Sequence, residues 1–167
     1  FANAQHSIPA LVADGTLAPN CAALFRSDPQ SSPLPLYFHQ EQAIALAGQG
    51  KSYVVTTGTG SGKSLCFFIP IVSAILKERA AGAPRRTRAI VVYPMNALAN
   101  SQLEELKKYV GNVPDDPPLI RFARYTGQET DDERRAIAES PPDILLTNFM
   151  MLELLMTRQG EQDRAVM

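Results

Sequence analysis

The stretch "VVTTGTGSGKSLCFFIP", residues 54–70, decides the fold. A β-branched run gives way to alternating Gly, Thr and Ser, then to Lys-Ser and an apolar run. Between a strand and a helix, such a loop suits a triphosphate. Gly58, Gly60 and Gly62, with Thr59 and Ser61 between them, let backbone N–H groups turn toward phosphate oxygens without a Cβ in the way. Lys63 has the reach for the β- and γ-phosphates, and the Ser64 hydroxyl can ligate Mg²⁺. The following helix, expected from roughly Lys63 to Arg79, aims its positive end at the same anion. The pattern G-x-x-x-x-G-K-[ST] is met except at its first position, where Thr57 stands in for Gly. Pro70 removes a backbone donor and is expected to bend the helix. The bland alternative is a flexible Gly/Ser loop before a buried helix; the flanking strand and helix signals favour the phosphate loop.

Outward from this loop, strand and helix signals alternate. "YVVTT" (53–57), "AIVVYP" (89–94), "LIRFARYT" (119–126) and "DILLTN" (143–148) read as strands. Three of them are apolar runs without polar alternation, as expected for strands covered on both faces of a parallel sheet. Leu65, Phe68, Ile69, Val72, Ile75 and Leu76 share one helical face, and Ala99, Leu103, Leu106 and Val110 another. "TDDERRAIAES" (130–140) opens on Thr and acids and suits a short exposed helix. Repeated β-α units imply an α/β fold: a three-layer sandwich around a mainly parallel sheet. Residues 1–36 are expected to form an N-terminal extension, a loop with short helices near Ile8–Ala13 and Cys21–Phe25. Helical character resumes near His39 and stops at Gly48. One domain is expected over 37–167.

The chain has 167 residues, 45% hydrophobic and 20% charged, with a net charge of −1, which suits a soluble globular domain. No global basic field advertises nucleic acid, so any such contact must be local. Two cysteines, Cys21 and Cys66, are too few for a disulfide framework, and Cys66 reads as a reduced core thiol. His6 and His39 show no ligand spacing, so no structural metal is expected. "RRTR" (85–88) reads as a solvated loop rather than a nucleic-acid patch. No apolar run reaches membrane-spanning length and no secretory signal opens the chain, so no membrane partner and a cytoplasmic location are expected. A start at Phe1 without Met suggests a fragment, cut at both ends.

A phosphate loop alone fits kinases, GTPases and motors equally well. Further elements discriminate: "LYFHQEQAI" (36–44), with Gln40 falling 23 positions before Lys63; "VVYPMNALANSQ" (91–102); "YTGQ" (125–128); and "DILLTNFMML" (143–152). Together with the loop, these resemble the first RecA-like domain of superfamily 2 helicases of the DEAD/DEAH-like group, over about residues 36–156. The variants look closest to large bacterial DNA helicases with a C-terminal cysteine-cluster domain. The resemblance implies that Gln40 reads adenine while Tyr37 or Phe38 stacks on it. It implies that Lys63 and Ser64 serve catalysis, that Ser64 ligates the Mg²⁺ of bound ATP, and that Gly58 to Ser64 hold the phosphates. Pro94, Asn96, Thr126, Gly127, Thr147 and Asn148 then grip one nucleic-acid strand, DNA in preference to RNA. Each residue has a local alternative. Asn96 could cap a helix, Thr126-Gly127 could be a strand-ending turn, Thr147-Asn148 a helix start, and Gln40 a solvated helix residue. Their joint order is what points to function.

The family's D-E-x-H element is absent from this sequence; "DDE" (131–133) falls on the surface helix and Glu153 beyond the fourth strand. The chain is therefore expected to be the ATP-binding half of a helicase, inactive alone. The full-length protein would couple ATP hydrolysis to strand separation or translocation, with a second RecA-like domain closing on ATP. The alternatives are a double-strand translocase of a restriction or phage-defence system, and a non-hydrolysing nucleotide-dependent binding module.

Overall fold

The computed structural model of the protein describes residues 1–157. The chain divides into two compact units: Phe1–Ala81 with Tyr109–Pro114, and Gly82–Lys108 with Asp115–Met167. The tail 160–167, for which no element is expected, lies outside the described residues.

The first unit is helical. It holds α1 (Ile8–Ala13), α2 (Cys21–Leu24), α3 (Phe38–Gly48) and α4 (Leu65–Ala80). Ser7 caps α1 by accepting the Ala10 N–H, with a proline in the first turn as the cap rules favour. Both short helices expected in the N-terminal segment form. Helix α4 buries Leu65, Cys66, Phe68, Ile69, Val72 and Ile75, most of the expected face, and packs along α3. It runs on through Pro70. A proline there has no N–H for the Cys66 carbonyl four residues earlier. The Tyr53 hydroxyl takes over, donating to Cys66 O at 2.6 Å. At the far end of α4, Lys77 Nζ donates to Gly15 O and Thr16 O, both at 2.8 Å, which ties the α1–α2 turn down.

One expectation fails here. Residues 53–57 form no strand, and among the described residues they have no ladder partner; Val54 is 87% exposed. β-Branched composition records only that side chains tolerate extended backbone. A strand also needs a neighbour to take its N–H and C=O groups, and composition does not supply one.

The second unit holds the sheet. It comprises β1 (Ala89–Tyr93), β2 (Phe122–Tyr125) and β3 (Ile144–Asn148), all parallel, in the order β1-β3-β2. Helices α5 (Asn96–Gly111) and α6 (Asp131–Glu139) form the crossovers, and α7 (Phe149–Thr157) follows β3 without an intervening loop. Helix α5 runs past Lys108, so its last three residues fall in the first unit. The register pairs Tyr93 with Asn148 and Tyr125 with Thr147, so the three strands end level. Burial on both faces holds for the central strand β3 from Ile144 to Thr147; β1 alternates instead, leaving Ile90 and Val92 exposed. An edge strand with one uncovered face keeps the apolar composition of a buried one, so sequence alone does not separate them. Tyr125, Leu145, Met151 and Leu155 form a core, joined by Ile137, Ala138 and Leu154 from α6 and α7. Helix α6 begins as expected: Thr130 Oγ1 accepts the Glu133 N–H while Glu133 Oε2 accepts the Thr130 N–H, a closed capping box.

Candidate nucleotide and nucleic-acid sites

In the first unit the expected phosphate loop leads into α4. Gly60 (φ +77°) and Gly62 (φ +67°) occupy the left-handed region that favours glycine. At Gly62 space also demands it, since a Cβ there would lie 2.6 Å from Gln40 Nε2. Thr57, the departure from the usual pattern, has its hydroxyl 2.6 Å from the Ser61 hydroxyl and so closes the loop across its base. Lys63 Nζ donates to Thr57 O (2.9 Å) and Gly58 O (2.8 Å), folding its charge over the loop. Among the described residues, the N–H groups of Thr59, Gly60, Ser61, Gly62 and Lys63 donate to no protein acceptor. Five successive donors ahead of a 16-residue helix are what a chain of phosphate oxygens requires. A triphosphate fits this donor set, and Ser64, half-buried at the start of α4, stands where an Mg²⁺ ligand is needed. No other metal-binding group offers itself: among the described residues, no three His, Cys, Asp or Glu side chains gather as a metal site would need.

Gln40 lies beside this loop, 1% exposed. Its Oε1 accepts the Tyr37 N–H at 2.8 Å and its Nε2 donates to Gly62 O at 2.9 Å. The side chain therefore joins the start of α3 to the loop. His39 does likewise, with Nε2 2.9 Å from Ser61 O. Tyr37 stacks on His39, and Phe1 leans on both rings. Phe1 is held by a short strap, because Ala4 N donates to Leu36 O, Phe38 N donates to Ala2 O, and the Glu41 carboxylate accepts Gln5 N and His6 N. Burial pushes the Glu41 carboxyl up, but His6 and these N–H groups outweigh it and hold the carboxyl below its ordinary range.

In the second unit, five of the six expected nucleic-acid residues meet at the carboxyl end of the sheet. Asn148 Nδ2 donates to Asn96 Oδ1 (2.7 Å) and Thr126 O (3.1 Å), while Asn148 Oδ1 accepts the Met151 N–H (2.7 Å). Thr147 Oγ1 donates to Tyr125 O at 2.6 Å. Thr126 and Thr147 are buried, Asn96 and Asn148 half-buried, Gly127 exposed. The two threonines thus brace the loops, and the loop backbones with the asparagines form the accessible edge. Pro94, the sixth, is exposed between β1 and α5 and makes no side-chain bond to the network. Met95, Leu98, Phe149 and Met150 stand exposed beside these residues in sequence.

Glu129, which sequence reading did not single out, organises this edge. It is 7% exposed. Oε2 accepts the N–H groups of Thr126 (2.8 Å) and Gly127 (2.9 Å); Oε1 accepts Arg124 Nε (2.9 Å) and the Thr126 hydroxyl (3.1 Å). Burial pushes its carboxyl up, but these donors outweigh it and hold it below the ordinary carboxylate range. Arg124 Nη1 reaches on to Asn100 Oδ1 at 2.6 Å. An acid two residues after a strand-ending Gly was the available signal. It was hidden by the run of acids that opens α6.

The chain is similar to known helicases. The DEAD/DEAH box helicase family model matches residues 37–166. The protein DruE of Druantia from Escherichia coli (strain UMEA 4076-1) is 36% identical over 114 residues, covering 60% of this chain and 6% of DruE. The uncharacterized ATP-dependent helicase YprA of Bacillus subtilis (strain 168) is 31% identical over 117 residues, covering 70% of this chain and 14% of YprA. This chain thus spans a small part of these relatives. A crystal structure of the DUF1998 helicase MrfA bound to DNA superposes with a TM-score of 0.71 at 26% identity, covering 91% of this chain and 18% of that one. Its complex with DNA and AMPPNP superposes with a TM-score of 0.76 at 23% identity, covering 99% and 21%. This chain belongs to the DEAD/DEAH box helicase family.

Proposed function

We propose that this chain is the ATP-binding half of an ATP-dependent DNA helicase, and that the full-length protein couples ATP hydrolysis to strand separation or translocation. The observation that carries this is the run of five N–H groups from Thr59 to Lys63 ahead of α4 that donate to no protein acceptor among the described residues, with Lys63 and Ser64 beside them. Lys63 leaves two loop carbonyls to meet the β- and γ-phosphates, exchanging neutral acceptors for anionic ones, which make stronger bonds. Mg²⁺ bound with ATP neutralises charge on the β- and γ-oxygens, and Ser64 would be its ligand from this chain. The sequence carries no D-E-x-H element, so hydrolysis is assigned to the full-length protein, together with a second RecA-like domain.

In the second unit, Asn96, Gly127 and Asn148 hold one strand of nucleic acid by its backbone, braced by Thr126 and Thr147. Such contacts position a strand without reading sequence, which is consistent with a net charge of −1. The likeness to MrfA, seen bound to DNA, supports DNA over RNA. The test is ATP hydrolysis by the full-length protein with single-stranded DNA, with RNA of the same sequence, and without either. DNA-stimulated turnover lost in Lys63→Ala is expected; full turnover retained in Lys63→Ala would overturn the site assignment.

A further inference from the structure

We propose that the open edge of β2 is a docking site for a partner protein, which lays an extended, uncharged peptide segment along it and so adds a strand to the sheet. Such a partner is additional to the nucleotide and the DNA strand proposed above.

In the order β1-β3-β2, strand β2 lies at an edge. Phe122 stands opposite Ile144, and Ile144 N donates to Arg121 O at 3.1 Å. In a parallel ladder the N–H and C=O of one residue point to the same side, and successive residues alternate sides. Arg121, Ala123 and Tyr125 therefore turn their backbone groups to β3. The side chains of β3 agree: Asp143 Oδ2 accepts Arg121 N at 2.8 Å, and the Thr147 hydroxyl donates to Tyr125 O at 2.6 Å. Phe122 and Arg124 turn theirs outward. Among the described residues no strand lies beyond β2, and no bond outside the ladder takes these outward groups. An edge with free donors and acceptors is a template for another strand.

The same edge forms part of a groove of about 580 Å³, walled by α5 on one side and α6 on the other. Leu103, Phe122, Ala123, Ala136 and Ile137 give it an apolar lining. Its charged side chains are already matched. Lys107 donates to Glu104 at 2.7 Å, Arg124 to Glu129 at 2.9 Å, and Glu133 is held in the capping box of α6. An uncharged occupant therefore suits the groove, since a charged one meets no free counter-ion there. A nucleic-acid backbone does not match, because phosphates offer acceptors alone while the edge alternates donors with acceptors. A second copy of this domain carries the same two helices, which meet before its edge reaches strand spacing of about 4.8 Å. A single extended peptide meets both demands. Its main chain pairs with Phe122 and Arg124, and its alternate side chains enter the apolar walls.

The probes are peptides about seven residues long with blocked ends, alternating Thr with Val, Ile or Leu. They are titrated into the full-length protein, and amide hydrogen exchange is read at single residues across 121–125 by fragmentation mass spectrometry. Without peptide, Phe122 and Arg124 are expected to exchange about tenfold or more faster than Ala123 and Tyr125. Saturating peptide should slow Phe122 and Arg124 by about tenfold or more. Methylating the backbone nitrogens of one alternate set of peptide residues should weaken binding about tenfold or more, and methylating the other set by less than about threefold. Leu103→Asp puts an unpaired charge in the wall and should weaken binding about tenfold, with DNA-stimulated ATP hydrolysis unchanged. The methylation series uses the wild-type protein, so it decides the matter even if that variant folds poorly. No probe bound at about 1 mM, or binding indifferent to which set is methylated, overturns the docking site. So does protection of Phe122 and Arg124 before any peptide is added, because the full-length chain or a second copy then fills the edge itself.

Discussion

The Glu129→Gln substitution isolates the group that shapes the carboxyl edge of the sheet. One carboxylate accepts four bonds there, from Thr126 N, Gly127 N, Arg124 Nε and the Thr126 hydroxyl, at 2.8–3.1 Å. Glutamine keeps a single acceptor oxygen. If that oxygen stays on the two backbone N–H groups, the new amide NH₂ points at Arg124 Nε, donor against donor. The charge-assisted bond to Arg124 is then lost, at about 1.5–3 kcal/mol, and the two backbone bonds weaken as their acceptor becomes neutral. A total of roughly 2–4 kcal/mol corresponds to a rise of about thirty- to several-hundred-fold in the opening of the Thr126–Glu129 turn. Amide hydrogen exchange of the peptide spanning 122–130 in the full-length protein reads this opening directly. Exchange there unchanged within about threefold would refute the bond count as the reason the turn is ordered. The pH dependence has a defined sign. The folded carboxyl lies below its ordinary value, so its stabilisation is present above that value and is lost as pH falls through the folded pKa. Protection of the turn should therefore be flat from about pH 5 to 8 as far as Glu129 is concerned, and should fall below about pH 4.

Further expectations follow from single contacts. Tyr53→Phe leaves the Cys66 carbonyl unpaired beside Pro70 and should cost about 1–3 kcal/mol in urea unfolding. Adding Pro70→Ala should recover part of that loss, because alanine there restores the missing N–H; no recovery would contradict the pairing. Asn148→Ala removes the bonds to Asn96, Thr126 and Met151. It should weaken DNA binding about tenfold while leaving nucleotide affinity without DNA unchanged within about twofold, both measurable by fluorescence titration. Burial pushes the Cys21 thiol up to about 11 and raises Cys66 as well. Neither should react with maleimide at pH 7.5 in the native protein, and mass spectrometry of the labelled chain checks this.

Much of the proposed nucleotide site is legible in the sequence because its chemistry would dictate residue types at adjacent positions. Gly60, Gly62, Lys63 and Ser64 are needed for backbone conformation, charge and hydroxyl, and those needs show in the sequence itself. Strands β1 and β3 were legible as apolar runs, β2 as a strand within the mixed run 119–126, and α6 as a capped acidic start. What escaped depends on partners distant in sequence. Residues 53–57 read as a strand, but no ladder partner is present among the described residues. The bonds of residues 2–6 to residues 36–41, and of Tyr53 to Cys66, join segments whose local patterns give no hint of each other. Glu129 escaped for another reason: a buried acid that accepts backbone N–H groups has the same letter as a solvated one. Gln40 lay between the two cases. Its spacing from Lys63 marked it, but not that the Tyr37 N–H and Gly62 O would occupy both ends of its amide.

The most direct measurement is amide hydrogen exchange of the peptide spanning 58–64 in the full-length protein, with and without Mg²⁺ and AMPPNP. If Thr59 to Lys63 cradle the phosphates, the nucleotide should slow exchange of this peptide by about tenfold or more in the wild type and have no effect on it in Lys63→Ala. Nucleotide binding that protects other peptides but leaves 58–64 exchanging at its original rate would contradict the assignment of this loop as the ATP site.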